Sequence, residues 1–181
     1  MSAITSGEIL LKYSTTAGSA GNSNTGTANA SLGKYISTTA WAGGSANDLF
    51  DDISGAENAA STVDYRCIFV HNSNASNALQ NAVVYLSAET AGGASIAVGA
   101  DTTAASALAS ASAQALTIAN ETTAPSGVSF SSPTTVGTGV SLGSIPSGQV
   151  KAFWIRRTAS NSAALSNDGV TIAVAGDTGS L

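Results

Sequence analysis

The chain has 181 residues, 43% of them apolar and 9% charged, with six basic against eleven acidic side chains and a net charge of −5. That length suits one domain, and the charged fraction lies far below the roughly 25% usual in soluble domains. Lys12, Lys34, Arg66, Lys151, Arg156 and Arg157 are scattered rather than striped, which speaks against nucleic acid; no apolar run approaches the ~20 residues of a membrane-spanning helix; and a single cysteine, Cys67, excludes an intrachain disulfide.

Solubility therefore falls to Ser, Thr, Asn and Gly, and a surface so poor in charge is easily desolvated against other chains. The opening M-S-A-I-T-S-G-E carries neither the basic cluster nor the apolar core of a Sec-type signal, so synthesis and folding in a cytoplasm are expected.

Residues 8–13, E-I-L-L-K-Y, form a short apolar run able to pair as a strand or to anchor an arm. Residues 14–31 contain nothing larger than Asn or Thr. Alone, such a stretch buries too little surface to offset its ordering entropy, so residues 1–33 read as a Gly/Ser/Thr/Asn-rich N-terminal arm and 34–181 as the domain proper. Residues 34–41 read as a brief extended segment. In 47–54, N-D-L-F-D-D-I-S, the spacing of Leu49, Phe50 and Ile53 predicts a turn or two of helix with Asn47 as its cap, closed by residues 55–60.

Val63–Asn72, V-D-Y-R-C-I-F-V-H-N, is the strongest strand signal in the chain. Tyr65, Cys67, Phe69 and His71 fall on one side and Arg66, Ile68 and Val70 on the other, which predicts a strand buried on most of both faces. The run N-S-N-A-S-N that follows is turn chemistry, and residues 79–88 supply a second strand. Residues 95–98 predict a short strand, and 101–115, rich in Ala and Ser, an extended solvent-facing segment or arm. Strands are predicted at 115–119 and 128–131, and a loop at 132–144. Pro146-Ser147-Gly148 predicts a turn launching a strand over 150–158, with Val150, Ala152 and Trp154 on one face and Phe153 and Ile155 on the other. A turn at 166–169 precedes a last strand at 170–175. About eight strands between Gly, Asn and Pro turns predict an all-β antiparallel β-sandwich, jelly-roll or Ig-like, with an extended N-terminal arm.

Catalytic, cofactor-binding and metal-binding constellations are not visible. His71 is the only histidine and reads as a strand-end residue with ordinary hydrogen bonds, not a general base. Asp48, Asp51 and Asp52 lack EF-hand spacing and read as carboxylates favoured near a helix start. Cys67 reads as a small buried hydrophobe, and Arg156-Arg157 as a pair for Asp168 across a hairpin. Trp154 reads as core; Trp41, beside Gly43-Gly44, remains a surface candidate.

Two blocks carry a resemblance. N-D-L-F-D-D-I-S-G-A-E running into V-D-Y-R-C-I-F-V-H-N-S-N, and S-I-P-S-G-Q-V-K-A-F-W-I-R-R-T-A followed by S-N-D-G-V-T-I-A-V-A-G-D-T, resemble small virion structural proteins of tailed bacteriophages over residues 47–86 and 143–178. The resemblance implies a non-enzymatic β-sandwich subunit of a phage particle. Small size, low charge and an N-terminal arm favour a capsid decoration (cement) protein on the virion surface, bound to the major capsid protein and self-associating as a homotrimer. Repeated weak contacts would then add through multivalency. Alternatives are a tail, neck or baseplate subunit, or a receptor- or glycan-binding module. The partner-binding residues expected are Ile9, Leu10, Leu11 and Tyr13 of the arm, with Tyr35 and Trp41 as surface aromatics; no cofactor is expected. On this reading, deleting residues 1–31 spares the sandwich and weakens attachment.

Overall fold

The computed structural model describes residues 3–180. Among them the chain forms β1 (Ile9–Thr15), β2 (Tyr35–Ala40), the short helix α1 (Gly55–Ala60), β3 (Val63–Asn72), β4 (Asn77–Glu89), β5 (Ser95–Ala100), β6 (Ser106–Ala107), β7 (Val140–Ile145), β8 (Gln149–Thr158) and β9 (Val170–Ser180). One sheet runs β2-β1-β3-β8-β5, with β6 pairing to β8 beyond the end of β5; the other runs β7-β4-β9. Every strand pair is antiparallel, and the protein is an all-β sandwich.

β3 sits at the centre because both of its faces are apolar. Ile68 and Val70, with Phe153 and Ile155 of β8 and Ile96 and Val98 of β5, meet Leu79, Val84 and Leu86 of β4 and Leu142 and Ile145 of β7 between the sheets. Tyr65, Cys67 and Phe69 point the other way, with Val150, Ala152 and Trp154, into a second core. The alternation expected for β3 and β8 is the observed one.

Among the described residues no third sheet lies over that second core. It is roofed by loops, which contribute Ile36, Leu108, Ala115, Leu116, Ile118, Val128 and Phe130. Residues 101–115, expected as an extended solvent-facing segment or an arm, are no arm: most of them are exposed or half-buried, but two buried polar side chains tie the roof down. Asp101 takes the Trp154 Nε1–H at 2.7 Å and the backbone N–H of Thr103 and Leu116 at 2.7 and 3.0 Å. Gln114 accepts from Ile36 N–H at 3.1 Å and donates to the Ala107 carbonyl at 2.8 Å. Lys151, buried in this layer, donates to the Asp101 carbonyl at 2.7 Å and to that of Thr103. The strands predicted at 115–119 and 128–131 reduce to single bridges, Gly33 to Thr117 and Val98 to Ser131. At Gly33, φ is +94° and a Cβ would lie 1.8 Å from the Leu116 carbonyl oxygen, so only glycine fits.

The N-terminal segment is likewise built in. β1 lies between β2 and β3, pairing Ile9–Tyr13 with Asn72–Ile68, and is an inner strand rather than part of an arm. The loop over 16–34 is stitched to the roof and to β2: Gly21 N–H donates to the Ser110 carbonyl, Asn22 N–H to that of Ile36, and Thr38 N–H to that of Asn24. Ser31 is fully buried and donates to the Thr27 carbonyl at 2.8 Å. Small polar residues order here because neighbouring backbone satisfies them, which composition does not show.

Two further expectations are corrected. Residues 47–54 are not helical; the helix is α1, and Ser54 caps it in a box with Glu57, Ser54 Oγ accepting from Glu57 N–H at 3.3 Å and Glu57 Oε2 from Ser54 N–H at 2.7 Å. Asn47 has φ +59° in a turn, and the Asp48 and Asp51 backbone carbonyls accept from Tyr13 Oη and Arg157 Nη1. The loop expected at 132–144 ends in β7. The turn expected at 72–77 is there, and it carries the chain from one sheet to the other, since β3 and β4 lie in different sheets. It is a corner held by asparagines: Asn72 Nδ2 donates to the Asn77 and Ile145 carbonyls at 2.9 and 3.0 Å, and Asn74 Oδ1 accepts from Ser76 and Asn77 N–H at 2.9 and 2.7 Å.

Candidate functional site

Among the concavities formed by the described residues are a groove and a cleft. The groove, of about 300 Å³, lies where β1 meets β9, lined by Thr5, Ser6, Ile9, Leu11, Leu79, Val174, Ala175 and Gly176. The cleft, of about 800 Å³, lies between the 41–58 loop and the 160–170 loop, with Trp41, Phe50, Asp48, Asp52, Asn58 and Leu165 among its lining residues.

The expected partner-binding residues scatter over these features. Ile9 and Leu11 line the groove, half-buried against the inter-sheet core. Leu10 points to the opposite face of β1, its backbone paired opposite His71. Tyr13 packs on the inter-sheet core, and its hydroxyl donates to the Asp48 carbonyl. Tyr35 is no surface aromatic: it is buried, donates its hydroxyl to the Ala111 carbonyl at 3.0 Å, and carries the Lys34 ammonium 5.0 Å from its ring centre. Trp41 is half-buried in the wall of the cleft with Nε1 enclosed and unpaired, near Asp48, whose enclosed Oδ2 is also unpaired. The structure does not bring these six residues together as one surface.

Most of the chemically distinctive groups are taken up by the fold. Cys67 is fully buried, and burial, with the nearby Asp101 carboxylate, pushes its thiol well above the ordinary range, so little nucleophilic thiolate forms. Arg157 forms a buried pair with Asp64 at 2.7 Å, reaches Asp51 Oδ1 at 3.2 Å and stacks 4.8 Å over Phe50. The pairing expected with Asp168 does not form: Asp168 accepts from Ala94 N–H at 2.6 Å, and Arg156 lies 5.2 Å over the Phe130 ring. Arg66 is buried and ion-paired to Glu121. Among the described residues, no group of three His, Cys, Asp or Glu side chains is arranged to hold a metal.

His71 departs from its expected role. It is buried, and its Nδ1 has no hydrogen-bond partner. Desolvation, and secondarily the charge of Lys12, lower its pKa from the ordinary 6.5. The folded state therefore binds fewer protons than the unfolded state just below that pH, and stability falls as pH falls from about 6.5 toward the lowered value. Urea melts of wild type between pH 7.5 and 5.5 should show this slope, and His71→Gln should flatten it; equal slopes would place His71 in contact with solvent.

Comparison with family models, with curated proteins and with solved structures returns no match for this chain. Sequence reading missed the far wall of the groove. Residues 170–175 read correctly as a strand, but alternation says nothing of whether a strand lies inside a sheet or at its edge.

Proposed function

We propose that the chain is a structural subunit of a tailed-phage particle, a decoration protein seated on the outer head shell against the major capsid protein. The observation that carries this reading is the commitment of its reactive side chains to the fold: Cys67 in the second core, Arg66 and Arg157 in buried ion pairs, and Asp101 holding Trp154 and the roof. What remains for the outside is mostly hydroxyls, amides and small apolar groups with scattered carboxylates such as Asp52, Glu89 and Asp177, a surface suited to extended contact with other chains. Self-association belongs to the proposal.

Purified protein added to heads lacking it should co-sediment with them saturably and should not sediment with isolated tails. Binding to tails alone would move the chain to the tail, neck or baseplate. Binding to neither would overturn the proposal. The cleft beside Trp41 favours one further reading, a glycan-binding module, because an indole flanked by carboxylates and amides suits a polyhydroxyl ligand. Quenching of Trp41 fluorescence by an oligosaccharide would support it.

A further inference from the structure

Sandwich edges are templates for further strands unless something blunts them, and three of the four edges here are blunted. β2 is covered by the 16–34 loop, whose Asn22 N–H and Asn24 carbonyl bond Ile36 and Thr38. β5 is covered by the 128–132 segment: Ser131 and Val98 exchange backbone hydrogen bonds, and Ser132 Oγ donates to the Ile96 carbonyl at 2.6 Å. β7 is six residues long, kinked at Gly143 with φ +76°, and closed by Pro146. β9 differs. It spans eleven residues, its one charge is Asp177, and among the described residues the one strand it pairs with is β4; the N-terminal segment reaches it through a single side-chain bond, Ile4 N–H to Thr178 Oγ1 at 3.0 Å. Both irregularities in that pairing put the extra residue on β4, between Gln80 and Val83 and between Leu86 and Ala88, so β9 itself stays regular.

We infer that the free edge of β9 pairs antiparallel with β9 of a second copy of this chain, joining two three-stranded sheets into one. The side chains argue for a second copy as the occupant. Ile172 and Val174 point inward and Thr171, Ala173 and Ala175 outward, as their partners Leu86, Val84 and Tyr85 on β4 show. In a two-fold pairing centred on Val174, residues sharing a face meet: Ala173 lies opposite Ala175, and Thr171 opposite Asp177. No like charges face each other, and the two carboxylates sit at opposite ends of the ladder. In the same register the partner's Ile172 lies opposite Gly176, in the wall of the groove lined by Ile9, Leu11, Leu79 and Val174. The groove is about 300 Å³, with Thr5 and Ser6 completing the wall beside those apolar side chains. Each copy thus offers one isoleucine and receives one, as an isologous contact requires. The inference rests on strand geometry and holds for the chain inside or outside a particle.

Light scattering on the eluting protein should give two copies, or an even multiple, of the 17.7 kDa chain. The double variant Ala173→Lys/Ala175→Lys places lysines against lysines across the axis on the outward face. It should keep the wild-type circular dichroism spectrum and elute at half the wild-type mass or less. Wild type that is monomeric at its highest soluble concentration, or a folded double variant of unchanged mass, would overturn the inference. If the lysines prevent folding, Val174→Cys decides: a disulfide-linked pair under mild oxidation supports the contact, and its absence overturns it.

Discussion

Deleting residues 1–31 should abolish the cooperative fold. The segment contains β1, which pairs with β2 on one side and β3 on the other, so its loss removes two ladders and detaches β2. Ile9, Leu11 and Tyr13 leave the inter-sheet core with it. At roughly half of the ~1.5–3 kcal/mol for full burial, three such side chains contribute about 2–5 kcal/mol, a large share of the ~5–15 kcal/mol by which a domain is stable. The buried Ser31 and the Gly21 and Asn22 contacts to the roof and β2 are lost as well. Circular dichroism and urea unfolding should show no cooperative transition in the truncated chain. A truncated protein with a wild-type melt would return residues 1–31 to the status of an arm.

Trp154→Ala should destabilise the protein by about 3–5 kcal/mol, as buried aromatic truncations do. Trp154 is completely buried on the roofed face of β8, between Cys67 of β3 and Gly99 of β5 in register. Its ring fills the space under residues 33 and 115–118, and its Nε1–H is one of three donors to the Asp101 carboxylate. Truncation therefore leaves a cavity and takes a donor from a buried charge. Trp154→Phe separates the two effects: it keeps most of the packing and loses the hydrogen bond, worth about 1.5–3 kcal/mol when the acceptor is charged. Equilibrium denaturation of both variants should rank alanine well below phenylalanine. An unchanged midpoint for alanine would mean that the roof does not close over β8.

Much of the architecture was legible because it rests on alternation. β3 and β8 announce their two buried faces, and Pro146 with Gly148, at φ +69°, announces the turn that launches β8. What alternation cannot convey is where a strand sits. β1 reads as an arm because its neighbours in sequence are small and polar, although its neighbours in space are β2 and β3. The roof is illegible for a related reason: it is held by Asp101 and Gln114, and a buried polar anchor has the same letter as an exposed one. At α1 the signal was present, since Ser54 and Glu57 have capping-box spacing, but the Leu49, Phe50 and Ile53 pattern outweighed it; Leu49 and Phe50 instead pack a loop against the inter-sheet core. Tyr35 and Trp41 read as surface aromatics, Trp41 because Gly43-Gly44 follows it. The fold buries the first under the 108–115 segment and half-buries the second beside the cleft.

The proposed role is tested most directly by quantitative mass spectrometry of purified phage particles, counting copies of this chain against the major capsid protein. A count comparable to that of the major capsid protein is the predicted result for a subunit repeated over the head shell. A handful of copies per particle, or none, would contradict it.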